Sequence, residues 1–264
     1  MIKPKNLCHL CGSDEPLQKS HIIPRSYYKS IKGKSGQLLV VSSDEHTKPE
    51  LSNSDPKEKL LCRSCEQFLS INFETYGTRL LKDTTTVKRK KDHVIFNNFR
   101  FKEFYLYLIS ILWRASISSI DPYDKVKLGS QINNLLSFCI RNKTLKIQTS
   151  LRLDHFLRIC LLRVVDKHEP KNDTIIKKTL VGFGVEFGKD KEDGFIYYFM
   201  VDGFLVVYFF DIESDIHLVR TKFNYAQIKN KQRIKVPIVD IRELKQISDG
   251  FNTIARKSEQ RNRS

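Results

Sequence analysis

An α+β fold is predicted for this 264-residue chain, and three features of the sequence predict it. Two close cysteine pairs lie in the first quarter, Cys8 and Cys11 in "CHLC" and Cys62 and Cys65 in "CRSC". A helical apolar period then runs through "FNNFRFKEFYLYLISILWRASIS", where Phe101, Phe104, Tyr105, Leu108, Ile111 and Leu112 recur at three- and four-residue steps. From about Asn172 the pattern changes to aromatic and β-branched runs separated by turn residues. These features predict a cysteine-bearing N-terminal module, a helical middle segment and an antiparallel β-rich C-terminal part.

Each element follows in order. Between the cysteine pairs lie "KSHIIPRSYYK", which puts His21 on a short strand, the polar "GKSGQ", the strand-like "LLVV", and a polar stretch ending in "DPKEKLLC". After the second pair, "EQFLSINFETYGTRLLK" reads as a helix, so the module spans residues 1–82. Residues 83–97, with the basic run Lys88, Arg89, Lys90 and Lys91, read as a linker or as a strip that contacts phosphates. An α+β domain then covers 98–264. Its second helix is "VKLGSQINNLLSFCIRN"; "SLRLDHFLRICLLRVVDK" is a third helix or a helix running into a strand. "LVGFGVEFG", "GFIYYFMVDG" and "FLVVYFFDI" are strands joined by turns at "KDKEDG" and "VDGF". "RIKVPIVDI" adds a strand that Pro237 assigns to an edge, and "IRELKQISDGFNTIARK" a closing helix. The role of this domain is not legible from sequence; choosing a target, pairing subunits into a homo-oligomer and binding a protein partner all fit it.

Charge narrows the partners. The chain is 40% hydrophobic, enough for a core, and carries a formal net charge of +16. That excess points to a polyanion, nucleic acid first and an anionic membrane surface second. The N-terminus lacks an apolar targeting segment, and the longest apolar runs fall short of the ~20 residues that span a bilayer. A soluble cytoplasmic protein is expected.

In a reducing compartment, paired cysteines favour metal over disulfide. Two CxxC pairs supply four thiolates, the donor set of a closed tetrahedral structural Zn²⁺ site, and Gly12 after the first pair suits the tight turn. His9, inside the first pair, is surplus to such a site and is expected at the surface. Cys139 and Cys160, in apolar surroundings, are expected to be buried core thiols.

From Cys8 to about Glu74, the order "CHLC", "SHIIP" and "LLCRSCE" resembles the zinc-stapled HNH (His-Me finger) endonucleases, whose module is a ββα-metal fold. The resemblance implies His21 as the general base that activates water against a phosphodiester, with Pro24 matching the family's proline. It also implies a catalytic Mg²⁺ or Mn²⁺. Three positions depart from the pattern. Ser20 stands where the family keeps an acidic metal ligand, Lys57 where it keeps Asn (Asn53 being the nearest), and Glu66 where it keeps the second metal-binding His. Carboxylate oxygen is a good ligand for Mg²⁺ and Mn²⁺, so Glu66 is the candidate for that ion, and Glu74 further along the helix is a candidate for orienting water. Arg25 and Lys29, after His21, are candidates for phosphate contact; Tyr27 and Tyr28 either stack on bases or pack the module. The resemblance thus implies cleavage of nucleic acid, DNA in preference to RNA, of the kind used by mobile elements and in phage defence. A second reading keeps the zinc scaffold and the basic surface but assigns a catalytically degenerate nucleic-acid-binding or protein-interaction protein.

Overall fold

The structure, a computed structural model, describes residues 7–32, 38–41, 50–52, 55–82, 87–121, 123–187, 195–210 and 224–244. The N-terminal region begins with strand β1 (Leu17–His21) and helix α1 (Arg25–Lys32). Pro24 sits directly before α1, a position that suits its fixed φ and missing N–H. Strands β2 (Leu38–Val41), β3 (Glu50–Ser52) and β4 (Lys57–Cys62) follow. Helix α2 (Arg63–Leu69) starts directly after β4 and passes through a π-helical stretch (Ser70–Glu74) into α3 (Thr75–Lys82). β1 and β4 form a two-stranded antiparallel sheet of their own, with Leu17 opposite Cys62 and His21 opposite Lys57.

Residues 83–97, expected as a basic linker, instead hold β5 (Val87–Arg89) and β6 (His93–Phe96), an antiparallel pair. The two strands divide the roles: Val94, Ile95 and Phe96 of β6 are buried while Lys88 and Arg89 of β5 stay in solvent, so a basic edge strand pairs with an apolar one. Helix α4 (Phe101–Ile117) comes next and is enclosed on all sides, with every residue from Phe104 to Ser116 buried. Its sequence predicted one apolar face, but its Ser and Tyr hydroxyls hydrogen-bond inside the core, and Arg114 does so through Nε and Nη1. Helix α5 (Gly129–Arg141) packs beside it. The ambiguous segment after α5 resolves into a one-turn helix α6 (Leu153–Phe156) running into β7 (Leu157–Val165).

Helix α7 (Asp173–Lys177), β8 (Leu180–Phe187), β9 (Phe195–Val201), β10 (Phe204–Phe210) and β11 (Ile234–Asp240) complete the described elements. They build a mostly antiparallel nine-stranded sheet in the order β3-β2-β8-β9-β10-β7-β11-β6-β5. The β9–β10 turn is the predicted "VDGF": Asp202 (φ 50°) and Gly203 (φ 73°) both adopt the left-handed conformation of a tight two-residue turn. The other predicted turn, "KDKEDG", lies outside the described residues. β11 is not an edge strand. It pairs with β6 through Ile234–Pro237 and with β7 through Ile238–Asp240, and Pro237 sits where the ladder changes partner. The expected closing helix is described only in its first turn, Ile241–Glu243, which is 3-10; residues 245–264 lie outside the described residues.

Two features tie the ends of the chain together. β2 pairs parallel with β8, so the span 1–82 lends strands to the large sheet. α4 lies between the cysteine-bearing segment and that sheet. Tyr107 Oη donates to Tyr27 Oη (2.9 Å) on one side, and Tyr208 Oη from β10 donates to the Leu108 carbonyl (2.7 Å) on the other. At its central strand β7 the sheet is buried on both faces. Leu157, Ile159 and Leu161 of β7 join the α4 core, while Cys160, Leu162 and Val164 join a second cluster with Ile176 of α7.

Candidate functional site

The cysteine cluster forms first from local geometry. Gly12 takes φ +76°, a conformation a side chain disfavours, and its N–H donates to the Cys8 carbonyl (2.8 Å), closing a tight turn. The second pair lies at the β4–α2 junction, and the Cys62 N–H donates to Cys8 Sγ (3.3 Å) across the two segments. The sulfurs of Cys8, Cys11, Cys62 and Cys65 all lie within 4.8 Å of one another, a donor set and spacing that fit a metal such as zinc. The thiols are electrostatically uneven. Burial raises Cys11, but hydrogen bonds with Ser13, Cys8 and Cys65 outweigh it and lower it to about 6. Burial and the neighbouring thiols push Cys65 up. A bound cation would relieve that crowding by stabilising every thiolate at once. His9 is exposed, and Cys139 and Cys160 are buried, as their sequence contexts predict.

His21 occupies the end of β1, at the open end of the small sheet. Its Nε2 lies 3.4 Å from Asp55 Oδ2, and Lys57 Nζ lies 3.9 Å from the same oxygen. Its ring stands 5.7 Å from the ring of Tyr28. Burial pushes the imidazole below its ordinary range; the Asp55 carboxylate pulls it back and Lys57 and Arg25 add to the fall. The shift favours the neutral imidazole, which stands with a carboxylate against one ring nitrogen.

The neighbouring residue faces the helix. Ser20 is fully buried, and its hydroxyl donates to Glu66 Oε1 in the first turn of α2. Burial raises the Glu66 carboxyl, Glu74 adds to the rise, and the Ser20 hydrogen bond and Arg114 oppose it. In an uninterrupted α-helix two residues eight apart lie about 80° apart around the axis. The π stretch ends at Glu74 and takes up about one extra residue. That insertion brings Glu66 and Glu74 to within roughly 20° of one face.

Arg114, from the middle of α4, is the residue that sequence reasoning missed. Its guanidinium is almost fully buried; Nε and Nη1 make hydrogen bonds, whereas Nη2 is paired with Glu74 by charge alone. Nε donates to the Ser110 carbonyl (3.2 Å), Nη1 donates to the main-chain carbonyl of His21 (2.8 Å), and Nη2 lies 2.7 Å from Glu74 Oε1. Glu74, a candidate for orienting water, is thus an ion-pair partner. No sequence signal marks Arg114, which lies 93 residues from His21. Asp55 is likewise found only by folding, because the β1–β4 pairing brings its neighbourhood to the end of β1.

The remaining candidates fall on separate elements. Arg25 and Lys29 are exposed on successive turns of α1. Lys88, Arg89, Lys90 and Lys91 are exposed on and just after the edge strand β5, where Arg89 lies 3.4 Å from Asp173. Tyr27 and Tyr28 are buried, hydrogen-bonded to Tyr107 and Tyr123, and pack the core instead of stacking on bases. Asn53 and "GKSG" lie outside the described residues. Among the described residues no helix is long and apolar enough to cross a membrane. Comparison with protein-family models, with curated proteins and with solved structures finds no match.

Proposed function

We propose that this chain is an HNH-like, metal-dependent endonuclease that hydrolyses phosphodiester bonds, DNA in preference to RNA. One observation carries the reading. A cysteine-clustered β1–β4 sheet runs directly into α2, with His21 at the strand end and Ser20 joined to Glu66 of that helix. The four cysteines hold Zn²⁺ as a structural staple, which fixes β1 against α2. His21 takes a proton from water, and burial keeps its imidazole neutral and ready to accept one. Asp55 beside Nε2 favours the proton on that nitrogen and leaves Nδ1 as the acceptor. Glu66 and the Ser20 hydroxyl supply oxygen donors suited to Mg²⁺ or Mn²⁺. Such an ion would stabilise charge developing on the phosphate and its leaving oxygen. Arg25 and Lys29 contact the backbone near the site, and the basic run on β5 adds sequence-independent affinity, in keeping with the net charge of +16.

The test is cleavage of plasmid DNA with Mg²⁺ or Mn²⁺ by the wild type, His21→Ala and Glu66→Ala, each with zinc content measured. Cleavage by the wild type alone supports the reading. A wild type as inactive as both variants, with all three binding DNA, rejects it. That outcome would favour a zinc-stabilised nucleic-acid-binding protein without catalysis, a reading with its own observation: Ser20 and Glu66 already satisfy one another. Retained affinity in high salt would point instead to a protein partner.

A further inference from the structure

We propose that Arg114 is a positioning residue for this site, supplied by α4 from outside the cysteine-bearing segment. It fixes the main chain of His21 and pairs with Glu74, which leaves Glu66, hydrogen-bonded to Ser20, as the carboxylate for a divalent cation. The inference rests on the nuclease reading for its purpose, but its geometry stands alone. His21 ends β1, and the chain turns at Ile22–Pro24 into α1, so the His21 carbonyl is where the strand's course is decided. Arg114 Nη1 holds that carbonyl at 2.8 Å, from a helix buried along nearly its whole length. The same guanidinium holds Glu74 at 2.7 Å and Ser110 of its own helix at 3.2 Å. Three nitrogens in a rigid fork thus reach three elements, an arrangement that the single nitrogen of a lysine cannot reproduce.

Charge adds a second consequence. Glu66 and Glu74, brought to one face by the π stretch, carry two negative charges, and Arg114 returns one, leaving a net charge of −1. A single net negative charge admits a divalent cation. Neutralising Glu74 leaves the Arg114 charge uncompensated beside Glu66 and weakens that cation's hold. Neither Arg114 nor Glu74 needs to touch substrate for these effects.

The experiment uses full-length, zinc-loaded protein as wild type, Arg114→Lys and Glu74→Gln. Two readouts are taken: kcat and KM for plasmid cleavage, and NMR signals of the His21 imidazole with Mn²⁺ titrated in as a paramagnetic probe. In Arg114→Lys, kcat is expected to fall about 100-fold with KM little changed, the cost of a misplaced reacting group. Its His21 signals are expected to move or broaden. In Glu74→Gln the Mn²⁺ midpoint is expected to rise about tenfold, as one nearby charge is removed. Unchanged His21 signals and an unchanged Mn²⁺ midpoint, with only thermal stability lost, would overturn the inference and leave Arg114 a structural ion pair. If the wild type cleaves nothing, the nuclease reading fails by itself, and the NMR readout still decides whether Arg114 positions His21.

Discussion

Around the four cysteines, regular structure is sparse, although Cys8, Leu10, Leu60 and Leu61 are buried and join the main core. The strands there form a two-stranded sheet, Leu17 is only partly buried, and Cys11 and His9 lie in solvent. Around α4, every side chain from Phe104 to Ser116 is buried, and the stacked rings of Phe183, Phe199 and Tyr208 pave the sheet face opposite. An isolated two-stranded sheet is marginal in water, whereas a layered aromatic core is self-supporting. The difference teaches where a metal held by the four cysteines would contribute most. The cysteine cluster stands where the sheet has only two strands, and His21 lies at the seam between that small sheet and the layered core, touched by Arg114 from the core side.

The largest effect is expected from disrupting the cysteine-bearing region. A structural four-thiolate zinc site contributes about 10–16 kcal/mol of apparent binding free energy, more than the whole stability of a typical domain. Metal analysis should give about one zinc per chain. A strong chelator, or Cys62→Ser, should erase the NMR signals of β1, β4 and α2 while the far-UV signature of the large sheet persists. Loss of both regions in one transition would show that the seam, not the metal, controls cooperativity.

The converse perturbation is Phe199→Ala. The ring is fully buried against both Phe183 and Tyr208, so its removal should cost about 3–5 kcal/mol in urea unfolding, with zinc content unchanged. A cost below about 1 kcal/mol would mean that the sheet face is loosely packed and the contrast overstated.

A smaller effect is expected at the β9–β10 turn. Gly203 has φ +73°, and a Cβ there would lie 1.7 Å from Arg163 Nη1. Gly203→Ala should cost about 1–3 kcal/mol through strain and displacement of that guanidinium. Equal melting temperatures for variant and wild type would show that Arg163 gives way freely.

What the sequence disclosed follows the same divide. The thiolate pairs, α4 and the strands around "VDGF" are local patterns, and residue spacing alone exposes them. The β2–β8 pairing is not local, since its partners lie some 140 residues apart, and no periodicity announces it. The strands of 87–96 were hidden by composition, because a basic edge strand looks like a linker until its buried partner is placed. Pro237 misled because a proline fits an interior strand at the one point where the ladder changes sides. At the site, His21, Ser20 and Glu66 were legible as a sequence order. Arg114 and Asp55 were not, because both act through contacts that exist only after folding, and the π stretch that turns Glu74 toward Arg114 has no compositional mark.

The smallest expected effect probes the seam itself through the charge state of His21. Burial lowers its folded-state value below the unfolded value of about 6.5. The unfolded chain therefore binds the proton more readily, and stability from this group is fully present above about pH 6.5. It is lost as pH falls through the depressed folded value. The imidazole's NMR titration should show a midpoint below that of a model histidine. Asp55→Asn should lower the midpoint further, because the carboxylate at 3.4 Å is what pulls it up, and Lys57→Gln should raise it. The acid limb of any cleavage activity should follow these shifts in the same order, since a base that stays neutral to lower pH keeps working there. A wild-type midpoint at or above the model value would mean that solvent reaches the ring freely, and that the well-packed side of the molecule does not extend to His21.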